Sequence, residues 1–341
     1  MLPVRLFHIA ERSDWDARTA AAYRPTSFES EGFIHCSQGG QLRAVAARLF
    51  EGTRDLMLLT IDARRITSEV VFEDLYETGE DYPHIYGDID LDAIEAVRPF
   101  PADDTGGFDW WNPESDVIAK PAARWSAAVA DLLDWFESAG FPGAPRARGI
   151  RNGLAFTSYV AGSTCTVPLP SWLDSGALLR LGRLIRNAHD ASMGAQTNHP
   201  WMVGRLEVRP GEVVLHRDIG PGNVVWRHAR PVGLIDWDFA EPGAPIVDLA
   251  LTAVNLCGLV PPERAAAGGI DPDTVPSRIE ALVEGYGKHS RRAVEAAASD
   301  VLAEELSRIE AWGRHGMSPW GELRDVGIAD RISETLRWLN G

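Results

Sequence analysis

The sequence is poor in cysteine and has no excess of positive charge, and each shortage excludes a class of protein. Only three cysteines occur in 341 residues, at positions 36, 165 and 257. An odd and scattered set of this kind gives no disulfide framework and no zinc-ligand spacing. The formal net charge of −16 argues against a protein that coats nucleic acid, because phosphate backbones require a basic surface. We therefore expect no nucleic-acid partner.

Long apolar runs are also missing. The longest one, from Ile246 to Val260, contains Asp248 and Asn255 and is too short to span a bilayer, so it predicts a buried helix. The N-terminus has no basic stretch followed by a long apolar core, which predicts no signal peptide. A cytoplasmic protein without a membrane partner is the expectation, and no pattern indicates an oligomeric state.

Residues 1–100 have an α+β pattern. Compact apolar runs at Leu56–Ile61 and Val70–Phe72 predict buried strands. Helical spacing of apolar residues predicts a helix over Gln41–Phe50. The segment Asp90–Ala96 fits either a short helix or the end of a strand. These elements together predict a small α+β domain at 1–100.

A break follows, and the pattern after it differs. Residues 100–108 combine proline, paired acids and paired glycines, which predicts a linker over 101–112. Ser126 is then expected to cap a helix that runs to Ser138. The Asn152-Gly153 pair predicts a hairpin within residues 148–160, and Leu178–His189 has the spacing of an amphipathic helix. From Ser277 onward the pattern is helical.

The residues with the clearest chemistry lie between positions 213 and 238. His216, Asp218 and Asn223 form the pattern H-x-D-x-x-x-x-N, and Asp236 follows within Leu-Ile-Asp-Trp-Asp. Phosphoryl transfer needs one carboxylate to orient the attacking hydroxyl, and a second carboxylate with an amide to hold magnesium. A loop that carries Asp218 and Asn223, followed by a hairpin that carries Asp236, supplies these groups.

This stretch resembles the aminoglycoside phosphotransferase and choline kinase family, a branch of the protein-kinase-like fold. The resemblance implies that Asp218 is the catalytic base and that His216 supports the loop. It implies that Asn223 and Asp236 are ligands of Mg²⁺ and that Asp248 stabilises the catalytic loop. ATP and Mg²⁺ are then the expected cofactors, and a small molecule is the expected acceptor.

The resemblance weakens towards the N-terminal side of the predicted kinase domain, residues 113–341. No G-x-G-x-x-G pattern occurs, so we expect a reduced N-lobe at 113–161 and a C-lobe at 162–341. Lys120 ends a short strand and resembles the lysine that contacts the ATP phosphates, although an ordinary surface lysine fits equally well. Tyr159 and Val160 resemble the hinge that contacts the nucleotide base. ATP and GTP are not distinguished.

Three histidines of the N-terminal domain lie beside apolar residues, which suggests a polar pocket rather than isolated core histidines. Residues 5–98 resemble the bacterial domain of unknown function 952, which we relate to the ADP-ribosyltransferase-like fold. That resemblance implies an NAD or ADP-ribose pocket. Its expected lining is His8, His35, Ser37, Glu73 and His84. A ligand-binding module without activity and a purely structural module remain alternatives.

The leading hypothesis is an enzyme that transfers phosphate from ATP to a hydroxyl of a small antibiotic or metabolite. The alternative is an NAD-using N-terminal enzyme whose kinase-like half senses ATP. The resemblance to the phosphotransferase family implies that helices after residue 277 form the acceptor wall. Because Glu280 and Glu284 share one side of such a helix, the acceptor is predicted to be cationic.

Overall fold

A computed structural model gives the fold as two compact units of mixed α/β structure. It describes residues 5–19, 21–53, 55–76, 79–102, 106–108, 111, 117–203, 208–315 and 319–341. The first unit contains residues 1–123 and 148–159, and the second contains residues 124–147 and 160–341. Among the described residues, no helix is long and apolar enough to cross a membrane.

The first unit is built mainly from antiparallel strands. Its strands are β1 (Arg5–Glu11), β2 (Ala22–Tyr23), β3 (Ile34–His35), β4 (Leu56–Asp62), β5 (Glu69–Glu73), β6 (Tyr82–Tyr86), β7 (Ile89–Asp90), β8 (Ile94–Pro99), β9 (Val117–Pro121), β10 (Ala147–Arg151) and β11 (Leu154–Ser158). Its helices are α1 (Arg12–Asp16), α2 (Phe28–Glu31) and α3 (Leu42–Leu49). The sheets have the strand orders β1-β4-β8, β3-β6-β5, β2-β7 and β10-β11-β9.

Strand β4 is buried along its whole length, as its uninterrupted apolar sequence predicts for a central strand. It pairs with β1 on one side and with β8 on the other. The segment Asp90–Ala96, whose sequence fitted either a short helix or the end of a strand, contains both. A 3-10 turn at Leu91–Ala93 lies between β7 and β8. The predicted hairpin is confirmed: Asn152 and Gly153 both have positive φ angles, as the tight turns of hairpins require.

The predicted linker contributes to the core of this unit. Phe108 and Trp111 are buried beside Phe100, and the rings of Phe100 and Phe108 stack with centroids 5.1 Å apart. Sequence reasoning gave more weight to the breaking residues than to these aromatics. Residues 103–105, 109–110 and 112 of the predicted linker lie outside the described residues, and the domain boundaries stay a prediction.

The second unit is mainly helical. Its helices are α4 (Ser126–Ser138), α5 (Ser175–Ser192), α6 (Ile246–Thr252), α7 (Pro262–Ala267), α8 (Val275–Tyr286), α9 (Arg291–Gly313), α10 (Trp320–Asp325) and α11 (Ile328–Leu339). Its strands form two antiparallel pairs, β12 (Val213–Leu215) with β15 (Glu241–Gly243) and β13 (Val224–Arg227) with β14 (Arg230–Leu234). The buried helix predicted at 246–260 is α6 followed by a π-helical turn at Ala253–Cys257.

Helices α5 and α8 pack unusually closely, because glycine occurs where their backbones meet. A Cβ atom added to Gly182 would lie 2.1 Å from the carbonyl oxygen of Leu282, and one added to Gly285 would lie 1.9 Å from that of Leu179. Real Cβ atoms do not approach backbone oxygens so closely. This packing fixes His189 near the end of α5, next to the loop that follows β12.

Candidate active site

The H-x-D-x-x-x-x-N residues occupy a loop of the second unit, residues 216–223, between β12 and β13. We call it the catalytic loop. Its histidine is fully buried. The Nε2 of His216 donates to the carbonyl of Ile235 over 2.9 Å, and Nδ1 accepts the backbone N–H of Asp218 at 3.3 Å. Burial lowers the pKa of His216, in agreement with a neutral ring. His216 therefore ties the loop to the residue before Asp236.

Asp218 and Asn223 are joined directly. The amide nitrogen of Asn223 donates to the Asp218 carboxylate over 2.7 Å and to the Asp218 carbonyl over 2.9 Å. Burial, and after it the charge of Asp236, raise the pKa of Asp218 to about 7, although the bond from Asn223 acts in the opposite direction. The carboxylate is thus held in one orientation in a buried and acidic environment.

Asp236 follows β14 and has a left-handed backbone, with φ 63° and ψ 67°. A residue other than glycine in this region is uncommon and is found often at functional sites. The backbone N–H of Ile235 donates to the carbonyl of Asn223 over 2.9 Å. Asn223 and Asp236 are therefore held near each other by main-chain bonding, as the spacing of the motif predicts.

Asp248 lies at the start of α6 and is 1% exposed. Its Oδ2 accepts the backbone N–H of His216 over 2.7 Å and Nε2–H of His189 over 3.0 Å, and its Oδ1 accepts the backbone N–H of Arg217 over 2.8 Å. Burial acts to raise the pKa of Asp248, but the bond from His189 and the charges around it hold that pKa below its ordinary value. The geometry agrees with the predicted role of Asp248 in stabilising the loop.

Sequence reasoning missed the role of Arg217. Its backbone has a positive φ of 64°, and its buried side chain forms ion pairs with Glu241 and Glu305. Arg308 pairs with Glu241 at 3.0 Å and with Glu305 at 3.5 Å. The position of Arg217 inside the motif was the available signal. Glu305 gave none, because on sequence it belongs to a series of helix acids that resemble a solvated surface.

The donor set at the loop fits a magnesium ion bound together with phosphates. Asp236 and Asn223 offer a carboxylate and an amide oxygen, which are ligand types that Mg²⁺ prefers. The Asn223 nitrogen is committed to Asp218, and no described residue donates a hydrogen bond to its Oδ1. No group of three or more His, Cys, Asp or Glu side chains among the described residues could hold a metal on its own. Such a site would need oxygens from a nucleotide.

A cavity of about 470 Å³ lies beside Asp218 within the second unit. Besides Asp218 and Arg217, residues of α6, the π-helical turn, α7, α9, α10 and α11 line it. Glu280 and Glu284, which were expected to face the acceptor, are not among the lining residues. Glu280 instead pairs with Arg291 over 3.1 Å, and both acids belong to α8. Glu280 and Glu284 therefore do not belong to this cavity, and the cationic acceptor stays a prediction.

The three predicted nucleotide contacts are placed as follows. Lys120 lies on β9, opposite Ala155 of β11. Tyr159 directly follows β11, and the guanidinium of Arg98 lies 4.1 Å from the centre of its ring. Val160 is the next residue and begins the second segment of the second unit. A Cβ atom added to Gly233 would lie only 2.9 Å from Val160, so glycine allows β14 to approach this segment.

The structure brings the predicted N-terminal pocket residues together. His8 donates from Nδ1 to the carbonyl of His35 over 2.6 Å, and its Nε2 lies 3.0 Å from the Tyr23 hydroxyl. Burial lowers the pKa of His8 to about 4, so its ring is neutral near pH 7. Ser37 is buried, and its backbone exchanges hydrogen bonds with Phe7 in the same strand as His8.

His35 and His84 face each other across β3 and β6, with ring centroids 5.2 Å apart. Each has a carboxylate partner: His35 Nε2 lies 3.1 Å from Glu31, and His84 Nδ1 lies 3.2 Å from Glu73. The hydroxyl of Tyr86 donates to Glu73 over 2.6 Å. The Nε2 of His84 is buried and has no hydrogen-bond partner among the described residues. These side chains form one polar and aromatic cluster.

Comparison with family models gives two matches. The model of the protein family of unknown function DUF952 matches residues 9–97, and that of the phosphotransferase enzyme family matches residues 205–289. Asp218, Asn223, Asp236 and Asp248 lie inside the second match. Both resemblances inferred from sequence, and the two-part mixed α/β fold they imply, are confirmed.

Individual proteins give further matches. The trifolitoxin immunity protein of Rhizobium leguminosarum bv. trifolii is 31% identical over 190 residues, which is 53% of this chain and 72% of that protein. A solved protein from Caulobacter crescentus is 27% identical, covers 30% of this chain and 91% of its own, and has a TM-score of 0.28. A choline/ethanolamine kinase family protein from Mesorhizobium loti is 17% identical, with coverages of 66% and 82% and a TM-score of 0.42.

Proposed function

Because the C-terminal region of this chain belongs to the phosphotransferase enzyme family, we propose that the chain transfers the γ-phosphate of ATP to a hydroxyl of a small molecule. The observation that carries the proposal is the Asp218 carboxylate. It is fixed by Asn223 and lies in a braced loop beside a cavity that can hold an acceptor.

The roles of the side chains follow from their positions. Asp218 orients the acceptor hydroxyl and takes its proton while the acceptor oxygen bonds to the γ-phosphorus. The bond between that phosphorus and the β–γ bridging oxygen breaks, and ADP leaves. Asn223 and Asp236 would hold Mg²⁺, whose charge supplies neutralisation of the phosphates. His216 and Asp248 keep the loop in place and do not touch the reactants.

The nucleotide is proposed to bind through Lys120 to its phosphates and through the backbone at Tyr159 and Val160 to its base. The acceptor is proposed to be an antibiotic, a toxin or a metabolite. The relative named as an immunity protein for trifolitoxin supports a toxin. A cytoplasmic location fits the use of ATP.

The test is ADP formation during a screen of hydroxylated acceptors with ATP and Mg²⁺. Asp218→Asn should abolish acceptor-dependent ADP formation and leave ATP affinity within about threefold, because it changes the group that orients the hydroxyl and not the nucleotide contacts. Asp236→Asn should weaken Mg²⁺-dependent ATP binding. Asp300→Asn, an exposed change on α9, is the matched control. Turnover that persists in Asp218→Asn refutes the assignment.

The cluster in the first unit favours a second function. We propose that His8, His35, Ser37, Glu73 and His84 form a pocket for NAD or ADP-ribose. Support comes from the unpartnered Nε2 of His84 and from Tyr76 and Tyr86, whose side chains are 53% and 40% exposed and offer faces on which a base could stack.

Thermal unfolding of the full chain with millimolar NAD or ADP-ribose tests this pocket. Either ligand should raise the melting temperature, and His35→Ala should remove the shift. His199→Ala, which changes an exposed histidine of the second unit, should keep it. The absence of a shift with both ligands contradicts the proposal.

A further inference from the structure

The cavity beside Asp218 has a mainly aliphatic wall. Its apolar lining includes Leu169, Leu251, Val254, Leu302, Ile309 and Ile332. These residues come from five separate parts of the second unit, so the apolar surface continues around the cavity. A wall of this kind gains free energy chiefly by covering apolar surface of a ligand. It offers few partners to a molecule covered with amines and hydroxyls.

The carboxylates of the lining do not change this conclusion. Among the described residues, Asp218 and Glu305 are the only ones that contribute carboxylates to the cavity, and Glu305 is already paired with Arg217 and Arg308. A polycation would therefore find only Asp218, the residue proposed to orient the hydroxyl. Desolvated amines without partners would be costly in such an environment.

Two guanidinium groups give the cavity positive character at another part of its wall. Arg264 on α7 pairs with Glu334 over 3.2 Å and donates to the hydroxyl of Thr335. Arg331, one turn earlier on α11, has no ion-pair partner in the part of the chain that the structure describes. Both arginines line the cavity. The Nη1 of Arg264 also donates to the carbonyl of Arg331 over 2.9 Å, so the two residues lie side by side.

We propose that the acceptor is a largely apolar molecule that carries the hydroxyl to be phosphorylated and one anionic group that pairs with Arg331. The proposal rests on the phosphotransferase function and names the class of its acceptor. It differs from the cationic acceptor predicted from Glu280 and Glu284, and the experiment below decides between the two.

The test uses three probes of equal length, each at a concentration below that at which it aggregates. They are 12-hydroxydodecanoate, 1,12-dodecanediol and 12-aminododecan-1-ol, and kanamycin serves as a hydrophilic polycation. Calorimetry without nucleotide measures binding, and ADP release with ATP and Mg²⁺ measures transfer. The carboxylate should bind about fivefold more tightly than the diol, since an exposed ion pair with Arg331 adds only a small binding free energy. The amine should bind more weakly than the diol, and kanamycin should not bind detectably.

Variants separate the two features of the wall. Arg331→Gln should abolish the advantage of the carboxylate and leave the diol unchanged. Ile332→Asn should weaken the carboxylate and the diol alike, by about tenfold, because apolar contact is lost. Val326→Asn changes an exposed apolar residue outside the lining and should alter neither affinity.

The outcomes distinguish this proposal from the one on which it rests. Tight binding of the carboxylate and the diol without ADP release supports an apolar anionic ligand in this cavity and contradicts the phosphotransfer on which the proposal rests. Tighter binding of kanamycin or of the amine than of the diol overturns the acceptor class, even when ADP is released. Equal affinity for the carboxylate and the amine, unaffected by Arg331→Gln, overturns the anionic group.

Discussion

Replacing Asp248 by asparagine tests how the catalytic loop is held. The carboxylate accepts three hydrogen bonds, two at Oδ2 and one at Oδ1. Asparagine has a single acceptor oxygen. If that oxygen keeps the bonds from His216 and His189, the new NH₂ group faces the backbone N–H of Arg217, and two donors oppose each other in a buried place.

The magnitude follows from these contacts. Hydrogen bonds to a charged group contribute about 1.5–3 kcal/mol, and a buried donor left without a partner costs about 1–3 kcal/mol. We expect Asp248→Asn to lower the free energy of unfolding of the second unit by about 3 kcal/mol. Because typical proteins have about 5–15 kcal/mol of stability, the variant should remain folded, with a loosened loop and a lower kcat.

Two measurements check this expectation. Denaturant unfolding followed by tryptophan fluorescence reports on the unit, since the ring centroid of Trp237 lies 4.5 Å from that of His216. Hydrogen exchange of the peptide around residues 213–223 reports on the amides of His216 and Arg217. Asp300→Asn is the control. A stability loss below about 1 kcal/mol, with unchanged exchange at both amides, would refute the proposed role of Asp248.

The dependence on pH gives a further check. The pKa of Asp248 is lowered in the folded state, so the unfolded chain takes up its proton first as the pH falls. The contribution of the carboxylate is therefore complete above the ordinary aspartate range, near pH 4, and is lost as the pH falls through the lower folded value. The stability difference between wild type and Asp248→Asn should be constant from pH 7 to about pH 5 and should shrink only below that range.

Two further predictions concern packing and charge in the second unit. Gly182→Ala should destabilise it by about 2 kcal/mol or more, because a Cβ would lie 2.1 Å from a carbonyl oxygen of α8. A helix without this contact would instead gain about 1 kcal/mol from the same change. Urea unfolding measures whether the free energy of unfolding falls or rises, with Gly40→Ala, whose Cβ meets no atom within 4 Å, as the control. Arg217→Ala should lower stability by about 3–5 kcal/mol, because Glu241 and Glu305 lose a buried partner; a loss under about 1 kcal/mol in the same assay would show that Arg308 alone neutralises both acids.

Local elements could be predicted from sequence because their signals are local. The apolar run at Leu56–Ile61 became β4, Asn152-Gly153 became a hairpin turn, and the 3.6-residue spacing at Leu178–His189 became the middle of α5. The spacing of His216, Asp218 and Asn223 placed the catalytic loop, since both His216 and Asn223 bond to Asp218 within five residues. In these cases the deciding contacts lie within a few residues.

The rest could not be predicted because its partners are far apart in the chain. Arg217 and Glu305 are separated by 88 residues, and nothing around Glu305 distinguishes it from a solvated helix acid. Glu280 was chosen for its helical spacing and its position near the start of the helical block, neither of which reveals the pairing with Arg291 on the next helix. The aliphatic wall of the cavity could not be predicted for the same reason, because residues from several helices form it.

The contact between the Arg98 guanidinium and the ring of Tyr159 links the β1-β4-β8 sheet to the segment proposed to bind the nucleotide base. Arg98 is on β8, the strand that pairs with the buried β4, and Tyr159 begins the segment proposed to contact the nucleotide base. Coupling between binding sites is reciprocal: if ATP changes the affinity of the first unit for its ligand by some factor, that ligand changes the affinity for ATP by the same factor. If the contact between Arg98 and Tyr159 carries such a coupling, Arg98→Ala should make the two affinities independent of each other.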